Sequence, residues 1–372
     1  MRVKHLFLRD FRNVEALDLG LDDDLVVFHG DNGQGKTGLL EALYLLANLR
    51  SFRRSKRNEM IRWNQPTAHV AARVEADDTA RRFEVELHRD HREVRLDGKD
   101  MSSFVRYFSG IRAVAFTPED PAMVRGGPQG RRGFLDRGVF LARPDHLGLI
   151  RELGRLVSQK NALLRARGDR TASAAQLAVW NERLAEVGAE VMARRNTFAV
   201  ALAEHLEGVH RALTDDEQPF EASYRACCPP GDVEALRALL EGQMDAELDR
   251  GQTLVGPHRE DLSLRLAGKD LRTYGSQGQV RTAALTLKLA LLATTASRVG
   301  SPPMFLLDDL GSELDPSRNE RLLAWVVKEG CQVFVATTAL AHVPVEPSRY
   351  RALHVVEGRV VEDRADGGAG GG

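Results

Sequence analysis

Cysteine is scarce in this chain, with three in 372 residues, at Cys227, Cys228 and Cys331. Two are adjacent and none forms a CxxC pair, so neither a disulfide framework nor a thiolate zinc motif is available. The pattern suits a reducing cytoplasm with buried thiols. No apolar run approaches the ~18 residues that a membrane-spanning helix needs. Charge also interrupts the opening MRVKHLFLRDFRN every few residues, unlike the apolar core of a secretory signal. Aromatic residues amount to 6%, and no stretch interleaves them with basic residues as a base-stacking platform does. Lysine is rare, eight against 44 arginines, and arginine is the side chain that grips phosphate in fork geometry. Net charge is nearly absent: 52 Lys+Arg and 53 Asp+Glu sum to −1. Such a balance argues against a purely electrostatic nucleic-acid binder, for which a pI above ~9 is expected, although a neutral sum can conceal a basic face.

What is present is a core. Hydrophobic residues make up 43% and charged residues 28%, the balance of a globular protein, and the length suggests two or three structural units. The runs VKHLFLRDF and LDLGLDDDLVVFHG each read as a strand, the second ending in a glycine-rich turn. A helix follows at TGLLEALYLLANL, with Leu39, Leu40, Leu43, Leu46 and Ala47 on one stripe. Between residues 68 and 96 short alternating runs and the Asp97-Gly98 turn predict an antiparallel sheet, and IRAVAFTPED predicts one further strand. Leu147, Ile150, Leu153, Leu156 and Val157, then Leu177, Trp180, Leu184, Val187 and Val191, recur at helical spacing on either side of Gly168-Asp169. Two long amphipathic helices in an antiparallel hairpin follow from that. Strand-like segments return at 220–224 and 262–266. The C-terminal part then alternates helix (282–296), strand (304–307), helix (317–329) and strand (332–337), the pattern of a parallel sheet. The tail ADGGAGGG reads as a flexible end.

Chemistry enters at Gly30-Asp31-Asn32-Gly33-Gln34-Gly35-Lys36-Thr37, a complete GxxxxGK[ST] loop with an apolar strand before it and an amphipathic helix after it. Its backbone amides and the helix N-terminus suit phosphate, Lys36 suits the β- and γ-phosphates, and the Thr37 hydroxyl suits Mg²⁺. The apolar strand Met304-Phe305-Leu306-Leu307 ends in Asp308-Asp309. Asp308 is the candidate second metal ligand, and Asp309 the candidate group that polarises the attacking water. Tyr274-Gly275-Ser276-Gln277-Gly278-Gln279 opens a long helix and resembles the signature motif of ABC-type ATPases. By itself Ser276-x-Gly278-Gln279 is an ordinary helix start. Ser312-Glu313-Leu314-Asp315 resembles the D-loop of the same superfamily.

These motifs in this order resemble the RecF family of bacterial recombination ATPases. Met123–Pro128 with Arg131-Arg132 and Phe134-Leu135-Asp136, the block from Leu306 through SELDPSR to Leu322, FRN at 11–13, GPHRED at 256–261 and the run to Arg281 also resemble that family's blocks. The resemblance reaches from the first strand to near residue 340. It implies an α/β ABC-type ATPase head: a P-loop lobe (1–120 and 300–372) with a mixed or parallel sheet plus an antiparallel sheet, and a second, mainly helical lobe (121–299) carrying the hairpin at about 147–213 and the signature at 274–279. It further implies an ATP-dependent homodimer. Each ATP would lie between one subunit's P-loop and the other's Ser276, Gln277, Gly278, Gln279 and Asp315, with Arg12 and Asn13 also near the nucleotide. Slow, DNA-stimulated hydrolysis would release duplex or junction DNA, in support of RecO and RecR loading RecA at gaps.

The sequence departs from the wider superfamily in three places. Asp309 stands where transporter ATPases carry glutamate, Thr337-Thr338 where a switch histidine is expected, and Pro118-Glu119 where a Q-loop glutamine is sought. Candidate DNA-contacting residues are Arg50, Arg53, Arg54, Lys56, Arg57, Arg131 and Arg132, whose clusters would neutralise backbone phosphates. The alternative for each is a solvated face or an internal ion pair. His258 and Arg259 are open between a structural role and one that couples nucleotide to signature. Two other readings stand beside the repair ATPase: an SMC-like structural clamp, for which the hairpin is short, and the ATPase subunit of a transporter, which the arginine-rich stretch and the missing histidine disfavour.

Overall fold

The computed structural model describes residues 1–53, 55–76, 79–101, 104–166, 174–214, 218–313 and 316–362. The chain divides into two compact units: Met1–Pro118 with Ala212–Thr214 and Thr295–Gly372, and Glu119–Arg211 with Asp215–Thr294.

The first unit holds two sheets. One is a six-stranded antiparallel sheet ordered Val14–Gly20, Arg2–Phe11, Thr67–Ala76, Thr79–His88, Arg92–Leu96, Lys99–Asp100. Its strands alternate in burial, as in Thr79–His88 where Phe83, Val85 and Leu87 point inward. The other runs Arg359–Glu362, Arg351–Val356, Leu25–His29, Val333–Thr337, Met304–Leu307, Ala113–Phe116. It is parallel throughout except for the antiparallel edge strand Arg359–Glu362. Its central strands are apolar without alternation because both faces are covered.

One expectation is corrected here. The run LDLGLDDDLVVFHG is two strands in two sheets, Val14–Gly20 and Leu25–His29. Asp22, Asp23 and Asp24 cannot sit in a buried ladder, so the chain leaves the first sheet there and enters the second. The sheets are joined by the buried amide of Gln332, which accepts from Val3 N and donates to the carbonyls of Val3 and Leu21.

Because the strands pair in parallel, Leu25–His29, Val333–Thr337, Met304–Leu307 and Ala113–Phe116 all finish at one edge. The segments leaving that edge are 30–36, 337–338, 308–309 and 117–118. An open α/β sheet binds ligands at such an edge.

The second unit is mainly helical. His146–Arg165 and Ala174–Thr214 lie antiparallel. Leu164 packs with Leu177, Arg183 pairs with Glu152 and Arg194 pairs with Asp145. The expected Gly168-Asp169 turn lies outside the described residues. Leu153, Leu156, Leu184, Val187 and Val191 form a core with Leu236 and Leu240. Those last two belong to Val233–Gly242, a helix the sequence reading left unassigned although Asp232 caps it through Ala235 N. Pro128–Ala142 is a further helix, opened by proline in its first turn. A small antiparallel sheet, Lys269–Asp270, Asp261–Leu266, Phe220–Arg225, completes the unit.

Candidate nucleotide site

The loop between Leu25–His29 and the helix Lys36–Asn48 is shaped by what a side chain could not occupy. Gly30 has φ +138°, and a Cβ there would come within 2.5 Å of Val355 O. Gly35 has φ +117°, and a Cβ there would come within 2.7 Å of Asn13 Oδ1. Both positions demand the left-handed region that glycine alone enters freely, while neighbouring chain fills the space above them. The helix takes Gly35 as its N-cap with no side-chain cap, so its first amides face the loop interior.

Lys36 is only 8% exposed. Its ammonium donates to Gly30 O at 2.6 Å and Asp31 O at 2.7 Å, bridging the mouth of the loop. Burial pushes its pKa down, opposed by the carboxylates of Asp309 and Asp308. Next to it, Thr37 Oγ1 donates to Asp308 Oδ1 at 2.7 Å across 271 residues of sequence. Asp309 follows with φ +62°, a turn conformation that aspartate tolerates better than most side chains. These groups line a cavity of about 580 Å³ together with Arg12, Asn13, Asn32, Thr337 and Thr338.

Arg12 and Asn13 hold the loop from the side. Arg12 donates Nε and Nη2 to the two carboxylate oxygens of Glu41 at 2.7 and 2.6 Å, and Glu41 is fully buried. Nη2 also donates to Ser55 Oγ and Nη1 to Glu59 O, both at 2.6 Å. Asn13 Nδ2 donates to Gln34 O at 2.9 Å. The same carbonyl accepts from Gly358 N at 2.8 Å, and Gln34 Oε1 accepts from Glu357 N at 2.7 Å. Thus the turn between Arg351–Val356 and Arg359–Glu362 braces the loop, a contact that no local sequence pattern announces.

The remaining predicted residues are dispersed. Ser276 and Gln279 lie in the second unit, exposed, and cap the helix Gln277–Val299 reciprocally. Gln279 N donates to Ser276 Oγ at 3.2 Å, and Ser276 N to Gln279 Oε1 at 2.9 Å. Gln277 and Gly278 are exposed on the same turn, while Asp315 lies outside the described residues. Arg53, a candidate DNA contact, lies in the wall of the cavity, which Trp63 also lines. Arg50 and Lys56 are exposed and Arg57 half-buried, whereas Arg54 lies outside the described residues.

Arg131 corrects the DNA reading. It is 4% exposed, forks onto Asp261 with both nitrogens at 2.7 Å, and donates to the carbonyls of Val124 and Gly126. A guanidinium so enclosed cannot meet a backbone phosphate; it ties the loop before Pro128–Ala142 to the strand Asp261–Leu266. Its neighbour Arg132 also turns inward, donating to Glu260 O at 2.7 Å. Burial pushes its pKa down, with Arg195 adding to the shift. His258 is held in the same interior: burial lowers its pKa to about 4, and Nε2 faces Thr253 O at 3.4 Å. Arg259 donates to that same carbonyl and to Gln252 Oε1.

Sequence reasoning missed two features. Trp63, 87% exposed, lines the cavity, and an isolated tryptophan carries no signal of that. His342 Nδ1 lies 3.0 Å from Thr337 Oγ1, so a histidine does reach the end of the strand Val333–Thr337, though five residues late.

Comparison with known proteins completes the picture. Residues 2–357 match the family described as RecF/RecN/SMC N terminal domain. The chain is 36% identical over 367 residues to the DNA replication and repair protein RecF of Geobacter metallireducens, covering 97% of this chain and 99% of that one. It is 38% identical over 347 residues to RecF of Myxococcus xanthus, covering 91% of each. A solved structure of the recombination mediator protein RecF-ATPrS in the RecFOR pathway superposes with a TM-score of 0.87 at 28% identity, covering 97% of this chain and 98% of that one. An SMC head bound to the C-winged helix domain of ScpA shares the fold, with a TM-score of 0.58 at 12% identity over 98% of each chain.

Proposed function

We propose a function from one premise: this chain belongs to the RecF family of DNA replication and repair proteins. It is an ATP-binding, ATPase-type protein of recombinational repair. The observation that carries the reading is the 2.7 Å contact between Thr37 and Asp308, which joins the phosphate loop to the carboxylate strand.

ATP's phosphates take the place that the Lys36 ammonium now spans. The loop carbonyls of Gly30 and Asp31 give up Lys36 to the β- and γ-oxygens, while the amides at the start of Lys36–Asn48 receive the anion. The Thr37 and Asp308 oxygens fit Mg²⁺. Neighbouring ligands of an octahedral ion with bonds of ~2.0–2.1 Å stand roughly 2.9 Å apart, close to the separation seen. When bound, the ion neutralises charge on the phosphates. Asp309 orients the attacking water from the same edge, and its carboxylate, one methylene short of glutamate, suits slow turnover. The exposed indole of Trp63 offers a face for the base.

Hydrolysis requires a second copy. The exposed Ser276–Gln279 turn presents the N-terminus of Gln277–Val299, where Ser276 and Gln279 cap each other and the remaining first-turn amides suit a phosphate. It meets the γ-phosphate held by the partner's loop, and ATP thereby becomes the glue of a homodimer. The dimer binds duplex or junction DNA through surface cations such as Arg50 and Lys56, works with RecO and RecR to load RecA, and lets go after slow, DNA-stimulated hydrolysis.

Fluorescence anisotropy on a labelled ss/ds junction tests the reading. Wild type should bind at least tenfold more tightly with ATP than with ADP, and should weaken as salt rises. Lys36→Met should abolish the ATP effect. Equal affinity with ATP and ADP would reject the proposal.

A further inference from the structure

The hairpin joining Thr79–His88 to Arg92–Leu96 carries a group of side chains that the nucleotide chemistry does not use. His88, His91 and Glu93 each offer one potential ligand atom, and these atoms all lie within 4.8 Å of one another. The tight turn makes this possible, since His88 N donates to His91 O at 3.0 Å and brings the two imidazoles into a parallel stack 4.2 Å apart. His88 Nε2 is buried and has no hydrogen-bond partner, an uncommon state for an imidazole nitrogen. Glu93 Oε1 lies 3.9 Å from it and 3.8 Å from His91 Nε2.

The surroundings prepare these atoms for a cation. Asp90 Oδ1 lies 2.8 Å from His91 Nδ1, which places the ring proton on Nδ1 and leaves the Nε2 lone pair for a ligand. Carboxylate–histidine pairing of this kind accompanies most metal-bound imidazoles. Arg95 contacts the outer oxygens, Oε2, of both Glu93 and Glu86. The inner oxygens are thereby aimed at the histidines, and Glu86 Oε1 stands 3.6 Å from His88 Nε2 as a fourth donor in reserve. The Arg92 guanidinium does not compete, because it turns away to the carbonyl of Leu49.

We propose that His88, His91 and Glu93 bind one divalent transition-metal ion of borderline softness, best met by Zn²⁺. Two imidazoles and one carboxylate select that class over Mg²⁺ and Ca²⁺, which want oxygen alone. Ligand atoms around tetrahedral zinc lie roughly 3.3 Å apart, given bonds of ~2.0–2.1 Å. Closing from 3.8–3.9 Å at Glu93, and from no more than 4.8 Å between the imidazole ligand atoms, needs the exposed or half-buried side chains to rotate so that the stacked rings tilt toward one ion. The ion would pin the tip of the hairpin, and its fourth position, open to water or to Glu86, sets it apart from a closed structural site.

The test uses the full chain, stripped with a chelator and titrated with Zn²⁺ against a chromophoric competitor. Co²⁺ serves as a spectroscopic stand-in. Wild type should take up one ion more than His88→Gln/His91→Gln and give a visible Co²⁺ band that the double variant lacks. Asp90→Asn, which leaves every ligand in place, should weaken Zn²⁺ affinity about 10–100-fold. ATP binding in both variants should match wild type, which verifies that they fold. Equal Zn²⁺ uptake by wild type and the double variant would overturn the proposal, as would an Asp90→Asn affinity equal to that of wild type.

Discussion

Removing Arg12 should damage the protein more through what it leaves behind than through what it takes away. Glu41 is fully buried in the helix Lys36–Asn48, and its carboxylate is balanced by the two-nitrogen fork of Arg12 and by a hydroxyl hydrogen bond from Ser51. Arg12→Ala strips away both charged donors, together with the bonds to Ser55 Oγ and Glu59 O. Breaking one side of a buried ion pair costs about 3–5 kcal/mol, because the surviving charge is left without compensation. For a unit of this size that corresponds to a fall in unfolding midpoint of about 6–20 °C. Alanine keeps a Cβ, so the positive φ of residue 12 contributes nothing to the difference. Arg12→Lys should fall between wild type and alanine, keeping charge but losing the planar fork. The double variant Arg12→Met/Glu41→Leu removes both charges at once and should recover to within ~1 kcal/mol of wild type. Urea unfolding followed by circular dichroism reads all four proteins. An Arg12→Ala cost below ~1 kcal/mol, or a double variant no better than the single, would refute the reasoning.

Other outcomes follow from the same geometry. Gly30→Ala places a methyl 2.5 Å from Val355 O at φ +138° and should cost about 2–5 kcal/mol while weakening ATP binding, as calorimetry would show. Asp309→Asn should leave ATP affinity within about threefold of wild type and lower turnover ~100-fold or more, read by phosphate release. His258 is held neutral, with its pKa depressed to about 4 from the 6.5 of an unfolded chain. Between those values the unfolded state binds the extra proton, so stability falls as pH drops from 6.5 toward 4 and levels off below it. Relative to wild type, His258→Gln should lose up to about 3 kcal/mol of that pH dependence, measured by denaturation at pH 4.5 and 7.5.

The legible parts of the fold were the local ones. Gly30–Thr37 is contiguous, and a strand, a glycine turn and an amphipathic stripe in succession announce themselves. The boundary at Asp22, Asp23 and Asp24 was not read correctly, because apolar residues on both sides join into one run unless the sheet they enter is known. Strand order was out of reach for a similar reason. That Thr37 touches Asp308 depends on Val333–Thr337 lying between their strands, a pairing fixed by registry across more than 270 residues. Charge misled where burial decided: Arg131 looks like a phosphate contact in a cluster of cations, yet its fork is spent on Asp261. Trp63 shows the converse, an exposed indole on the cavity wall with no pattern around it. The brace that Glu357 and Gly358 place on Gln34 comes from a hairpin more than 320 residues away, and only the folded chain reveals it.

ATP as the glue between two copies is the claim on which the rest depends, and mass in solution tests it most directly. Light scattering on wild type should give a 41.2 kDa monomer without nucleotide or with ADP, and a dimer with ATP. Ser276→Arg, placed on the exposed turn of the second unit, should bind ATP normally and stay monomeric. A Ser276→Arg protein that still doubles its mass with ATP would contradict the account.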